Sequence, residues 1–468
     1  MIRLSFISEV LIFVLFCLLG MTKSGTFTVD GGSAVSGENI YAIYPYAEST
    51  LHTVDQAEAA AAAGSASKLD NLQLYFDGDE EYAQNLMDMD FISAENQAII
   101  LAFLKDEKIA GPGPELNGSS ITNVTIPAVQ TVADGQTVDP KAVLMVAKAD
   151  GEDLAFKNVC SYVKVTPTVA CKKIEVRALG ADLAGICTVA VSDEPAASIT
   201  SDGTSVVTLK DADGDLAAGT YYIAVLPGTK SNGIEVRFYT SAETFNYNIR
   251  STSFEFVRSK VHSGGNNSGA LGTLWLKNTS YNMWSDTYYN DVKTVTILTG
   301  VPGAMPSGAK ALNSDETLWS RKDADNNYFI ETSASKIVTT NMHQTFAFLQ
   351  KVESYTGLDK LDVSEVSTFK QCFNGNKNAL ASLDLSSWQI NPAASTEQMF
   401  AACWSLSSLT LNNSFHYGYN VIDRIGQTLP DGQYCIIKGV TDEAVKNDLN
   451  KPGLSYNATY TKFKFEGE

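Results

Sequence analysis

The sequence predicts a mainly β protein with some α: antiparallel β-sandwich structure in the N-terminal half and a short leucine-rich repeat solenoid in the C-terminal half. Three observations carry this. Short apolar–polar alternations recur between residues 156 and 238, separated by Gly, Asp and Asn turns, the pattern of antiparallel strands packed as a sandwich. Leu361-Asp362-Val363-Ser364 returns 22 residues later as Leu383-Asp384-Leu385-Ser386, and Leu409-Thr410-Leu411-Asn412 follows that after 26. A period in this range with an L-x-L core marks a leucine-rich solenoid. The α content is expected between 53 and 108, where an Ala run (59–63) precedes Ile99, Ile100, Phe103 and Leu104 at helical spacing.

In chain order, residues 1–24 look like a signal peptide. The apolar run from Val10 to Leu19 is too short to span a bilayer, Arg3 supplies the positive end, and Thr22-x-Ser24 offers a cleavage site. A first β body is expected over 25–148, with the helical insertion 53–108 set between strands near Thr26–Val29, Asn39–Tyr46, Ile121–Ile126 and Ala142–Ala147. Asp150-Gly151 is a turn, and a second β body follows over 149–260. Its strands centre on Val159–Val165, on Ile174, Val176 and Ala178 alternating with Glu175 and Arg177, on Cys187–Val191, on Val206–Leu209, on Thr220–Leu226, and on Ile234, Val236 and Phe238 alternating with Glu235 and Arg237. Residues 261–272 read as a Gly/Ser/Asn linker by composition. The repeat domain takes 273–468. Trp275, Trp284 and Trp319 fall in its leading cap, and Tyr434–Ile437 and Thr459–Phe465 are expected to close the other end.

Composition limits the partners. The 468 residues carry a net charge of −19. Phosphate backbones call for a basic footprint, so nucleic acid is not an expected partner, and neither is an anionic lipid surface. No membrane span is expected once the signal-like segment is removed. Seven cysteines show no C-x-x-C spacing. Cys372 and Cys403 fall at inward repeat positions and read as buried thiols rather than a disulfide.

Signatures of chemistry are missing. H-E-x-x-H, G-x-S-x-G and G-x-G-x-x-G do not occur. Gly303–Lys310 misses a P-loop because Ala309 separates Gly308 from Lys310 and no Ser or Thr follows. Asp211-Ala212-Asp213-Gly214-Asp215 opens like a calcium loop, but Leu216 and Tyr222 occupy the Gly and Glu places, which leaves a hairpin turn. The four histidines, His52, His262, His343 and His416, lack metal-ligand spacing. No cofactor, metal or catalytic residue is expected.

Met399-Phe400-Ala401-Ala402-Cys403-Trp404-Ser405-Leu406, with Cys372-Phe373 as a looser first copy, resembles the recurrent unit of the BspA-like leucine-rich repeat surface proteins. Phe156–Ser161, Leu183-Ala184-Gly185, Gly219–Gly228, Gly233–Val236 and the Tyr41–Tyr46 block resemble the fimbrillin family. That second resemblance implies two tandem transthyretin-like β-sandwiches over roughly 26–260, as in type V pilus subunits, and polymerisation with other pilus subunits by strand addition.

Repeats in register would stack Asp362, Asp384 and Thr410 on one exposed strand face, and these three are the candidate ligand-binding residues. The same row can be an ordinary solvated acidic ladder. The expected function is non-enzymatic: an exported, outer-membrane-associated or fimbrial adhesion protein whose sandwiches carry a repeat face that binds host or microbial protein or glycan. Two alternatives stay open. One is a monomeric surface or secreted binding protein using the sandwiches as spacers. The other is a carbohydrate-active enzyme, since a glycosidase needs only two well-placed acids.

Overall fold

The structure, a computed structural model, describes residues 41–44, 49–52, 109–112 and 114–468, apart from 134, 151–152, 155, 251, 276–290, 417 and 452–458. The signal-like segment 1–24, the first expected strand and the helical insertion 53–108 lie outside the described residues. What is described is mainly β, with one α-helix, Glu443–Leu449, started by the Asp442 side chain accepting the Ala444 N–H. No helix among the described residues is long and apolar enough to cross a membrane. The chain divides into two compact units, Met1–Phe238 with Asn248–Asn267, and Tyr239–Tyr247 with Ser268–Glu468.

In the first unit, one run of paired strands is Ile234–Tyr239, Lys173–Ala178, Val206–Asp211 and Val129–Val132, and another is Ala196–Thr204, Ala184–Ala190, Ser120–Ile126 and Glu115–Asn117. Ile121, Val124, Leu144, Val163, Ile174, Val189, Ile223 and Val236 share one apolar core. This corrects the expected boundary at 148. Ser120–Ile126 pairs antiparallel with Ala184–Ala190, and Val129–Val132 pairs parallel with Val206–Asp211. Residues 114–148 therefore fold with the strands that follow them.

The linker expected over 261–272 is also corrected. Val261–Gly265 is a strand, parallel to Ser161–Val165, and Ala270–Trp275 is another. The glycines that suggested flexibility serve close packing. A Cβ on Gly264 would lie 2.7 Å from Cγ1 of both Val163 and Val165, a distance that side chains do not tolerate.

Alternation along Lys173–Ala178 and Ile234–Tyr239 puts Glu175, Glu235 and Arg237 on the second faces of their strands, yet all three are buried. Charge pairing offsets their burial. Glu175 accepts from Lys173 and Arg177, each at 2.7 Å, and Glu235 accepts from Arg237.

The second unit begins with antiparallel strands, Lys310–Ala311, Leu318–Lys322 and Asn327–Thr332, and then turns parallel. Thr294–Leu298 pairs parallel with Asn327–Thr332 and with Ser354–Thr356. Ser354–Thr356 lies beside Ser382–Asp384. From there Ser408–Thr410, Cys435–Lys438 and Phe463–Phe465 each add one parallel rung, with Leu383, Leu409, Ile437 and Phe465 in register. Cys435–Lys438 and Phe463–Phe465, expected to close the end, are the last two strands of this ladder.

A second column of turns runs beside the rungs. Gln344, Gln371, Gln398 and Asn420 all have positive φ, as do Phe348, Gly375, Ala402 and Arg424 four residues later in each turn. Left-handed backbone costs about 1–2 kcal/mol at a non-glycine residue, so the surroundings must impose it. They do so turn by turn. The Phe346 N–H donates to the Cys372 carbonyl at 2.8 Å, Phe373 to Met399 at 2.9 Å, and Phe400 to Val421 at 2.9 Å. The Gln344 amide donates to Gln371, and Gln371 to Gln398, each across 27 residues. Inside this column the rings of Phe346, Phe373 and Phe400 stack, with centroids 5.3 and 6.1 Å apart.

All six described cysteines are free and buried, which agrees with the reading of Cys372 and Cys403.

Phe373 is the middle ring of the stack and also touches Trp388 and Tyr355. Phe373→Ala is expected to cost about 3–5 kcal/mol in urea unfolding. Ser387→Ala, at an exposed position, should stay within about 0.5 kcal/mol of the parent.

Candidate functional site

The parallel ladder presents two rows of side chains to solvent. On each rung the central residue points inward: Leu383, Leu409 and Ile437 are buried. Period-two alternation turns their neighbours outward. Ser382, Ser408, Ile436 and Lys464 form one row, and Asp384, Thr410 and Lys438 form the other. Neighbouring rungs lie about 4.8 Å apart, so the second row sets a carboxylate, a hydroxyl and an ammonium at even intervals.

The corners hold these rows in place. One Asp384 oxygen accepts the Ser386 N–H at 2.9 Å, and the Asn412 side chain accepts the Ser414 N–H at 2.8 Å. Such Asx turns fix the backbone where each rung ends. Asn412 also donates to the carbonyls of Ser386 and Trp388, tying its turn to the one before. Asn413 accepts from the N–H groups of Thr441 and Asp442, tying it to the one after. Gly439, just past Lys438, has φ +78° and passes so close to the preceding turn that a Cβ would sit 2.3 Å from the Leu411 carbonyl oxygen.

Among the described residues, the hydroxyls of Ser382, Ser408 and Thr410 and the ammonium of Lys438 have no protein partner, and the second Asp384 oxygen is likewise unused. Tyr434 is exposed at the rim, with the Lys464 ammonium 4.6 Å above its ring. The row can therefore offer donors, acceptors, both charges and one aromatic face to a ligand.

The structure brings together two of the three residues expected on this face. Asp384 and Thr410 are direct register partners. Asp362 is not in their row, because Leu361-Asp362 pairs with Ile337-Val338. Ser354–Thr356, earlier in the same turn, is the strand that lies beside Ser382–Asp384, so Leu361-Asp362-Val363-Ser364 is one strand out of phase with Leu383-Asp384-Leu385-Ser386. Asp362 is also engaged. It pairs with Lys336 at 2.8 Å and accepts both the N–H and the hydroxyl of Ser364. Burial pushes its carboxyl up, but Lys336 and Ser364 outweigh burial and hold it below the usual 3.8.

Sequence reading missed Lys438, Ile436 and Lys464, because their rungs lack the L-x-L phrase. A signal was available: Gln344, Gln371 and Gln398, and Phe346, Phe373 and Phe400, recur at a constant 27 residues.

Two of the histidines have structural partners. His262 accepts the Val257 N–H at 3.1 Å, and His416 lies 2.7 Å from the Ala394 carbonyl. Among the described residues no group of three His, Cys, Asp or Glu side chains could hold a metal. No family model matches the chain, and no curated protein matches it.

Two buried or part-buried carboxyls, Glu175 and Asp362, contribute to the acid limb of stability. For Glu175, burial raises the pKa, but Arg177 and Lys173 outweigh it and hold it below the usual 4.5. A carboxyl depressed in the fold stabilises fully above its unfolded value and loses that contribution as pH falls through the folded value. His262, held below the usual 6.5 chiefly by burial, starts the loss as pH falls through 6.5, so the thermal midpoint should begin to drop there and drop further below about pH 5. Asp362→Asn should start from a lower midpoint and show a shallower drop.

Proposed function

We propose that this chain is an exported, cell-surface binding protein rather than an enzyme. In this reading the C-terminal unit is a leucine-rich solenoid of the BspA-like kind, and its outward rows recognise a protein or glycan. The N-terminal β unit is fimbrillin-like sandwich structure that serves as a stalk, with pilus association as the setting. The observation that carries the reading is the in-register parallel ladder. It buries Leu383, Leu409 and Ile437 and leaves Asp384, Thr410 and Lys438 in one outward row with polar groups to spare.

The physical fit is to a broad, shallow partner. A flat sheet face gives area and a regular spacing of donors and acceptors, and affinity on such faces concentrates in a few residues. Tyr434, with its ring half open at the rim, is the natural anchor.

Binding of the purified chain to arrayed glycans and surface proteins tests this. Once a ligand is found, Asp384→Asn, which keeps an acceptor for the Ser386 N–H, and Lys438→Ala should each weaken binding by about tenfold, with little change in thermal midpoint. Unchanged binding in both variants would move the site off the ladder. The pilus setting has its own test: material sheared from producing cells should give SDS-resistant multimers that collapse on boiling. A single monomer band in boiled and unboiled lanes would leave the stalk as a spacer.

A further inference from the structure

The outward rows do not begin at Ser382. Thr294–Leu298 buries Val295 and Ile297, so Thr294 and Thr296 face outward. Its parallel neighbour Ser354–Thr356 turns Tyr355 inward, where the phenol donates to the Phe346 carbonyl, and leaves Ser354 and Thr356 exposed. In register, Thr294 stands beside Ser354, and Thr296 beside Thr356. Ser354–Thr356 in turn lies beside Ser382–Asp384, and Ser408–Thr410 follows. At about 4.8 Å per strand, these four strands make a face about 14 Å long, with two rows about 6.6 Å apart. The corners repeat as well. Gly357, just past Thr356, has φ +80°, and a Cβ there would lie 2.2 Å from the Ile297 carbonyl oxygen. Gly439 makes the same approach to Leu411 just past Lys438.

Every residue of the two rows on these four strands carries a hydroxyl, except Asp384. Thr294 spends its proton on Asn327, at 2.8 Å. Among the described residues, the hydroxyls of Thr296, Ser354 and Thr356 have no protein partner, as on the later strands. A hydroxyl donates one proton, accepts two and rotates to suit what it meets. Protein partners are a poor match for such rows. Their affinity comes from Trp, Tyr and Arg, and Ser and Thr are under-represented among the residues that carry it. An anionic polymer would meet Asp384 on a chain of net charge −19. A neutral polymer of hydroxyls answers each donor with an acceptor and each acceptor with a donor, and brings no charge to desolvate.

We propose that the rows running from Thr296 and Thr356 to Thr410 bind a neutral, extended polysaccharide laid across the strands. The proposal rests on the reading of the ladder as a recognition face, and adds to it the class of ligand and two further strands.

The test is affinity electrophoresis of the full chain in gels that contain neutral linear glucans, mannans, xylans or galactans, with polygalacturonate and hyaluronan as acidic counterparts. At least one neutral polysaccharide should retard the chain, and the acidic ones should not. Thr296→Val and Thr356→Val remove a hydroxyl and keep the branched shape, and each should weaken that binding about fivefold. Thr229→Val, at an exposed threonine of the first unit, should leave it unchanged. All three should keep the parental thermal midpoint, which separates lost binding from lost fold. A chain that no neutral polysaccharide retards overturns the proposal. So does retardation by the acidic polymers that is as strong as by the neutral ones, or parental binding in both Thr296→Val and Thr356→Val. A ligand of any class that is lost with Asp384→Asn and Lys438→Ala, but not with the threonine variants, overturns the hydroxyl rows and keeps the recognition face. Binding unchanged in all four variants overturns both.

Discussion

The second unit depends on one constraint: successive turns must stay in register. The stack of Phe346, Phe373 and Phe400 and the rung residues Leu383, Leu409 and Ile437 belong to the same core. A slip of one residue would turn the inward set outward and break both at once. The left-handed residues Gln344, Gln371 and Gln398 show how firmly register is held. Each is an unfavourable backbone state in isolation, and each is kept by backbone bonds to the next turn and by a side-chain amide bond along the column. The outward rows inherit this order, so Asp384, Thr410 and Lys438 keep their spacing without being bonded to one another.

The first unit handles polar groups differently. Its strands bury Glu175, Glu235 and Arg237 on faces where alternation alone would send them to water. Pairing removes the need for water, and it does so between near neighbours on the same strand, Lys173 with Glu175 and Glu175 with Arg177. A buried pair of this kind adds little net stability but makes the loss of one partner costly. Gly264 shows the same economy of space, lying against two valines where any side chain would clash.

Much of this was legible in the sequence, and the failures have physical causes. The β character, the inward cysteines and the L-x-L rungs at Leu383 and Leu409 follow from periodicity. The phase of Leu361-Asp362 does not, because the same phrase can serve at two corners of one turn and only pairing partners distinguish them. The rungs at Cys435–Lys438 and Phe463–Phe465 carry no L-x-L phrase, because isoleucine and phenylalanine fill the leucine places at Ile437 and Phe465. The linker reading failed at Gly264 because glycine serves both flexible chain and close packing, and composition cannot tell which. The assignment of 121–126 to an earlier body failed because strand partners distant in sequence leave no local mark. The burial of Glu175 and Arg237 leaves no mark in the sequence, because a polar residue in an alternating strand carries no sign of what covers it.

The thiols carry a consequence of their own. Of the six described thiols, three lie in the first unit, Cys160, Cys171 and Cys187, and three in the second, Cys372, Cys403 and Cys435. Burial pushes each up, Cys160 to about 12 and Cys171 to about 11, Cys403 and Cys435 to about 12. The reactive thiolate is therefore suppressed as long as the local packing lasts. Under oxidising conditions such described sulfurs are open to wrong cross-linking only while the chain is unfolded, and each unit, once packed, withdraws its own three from that risk.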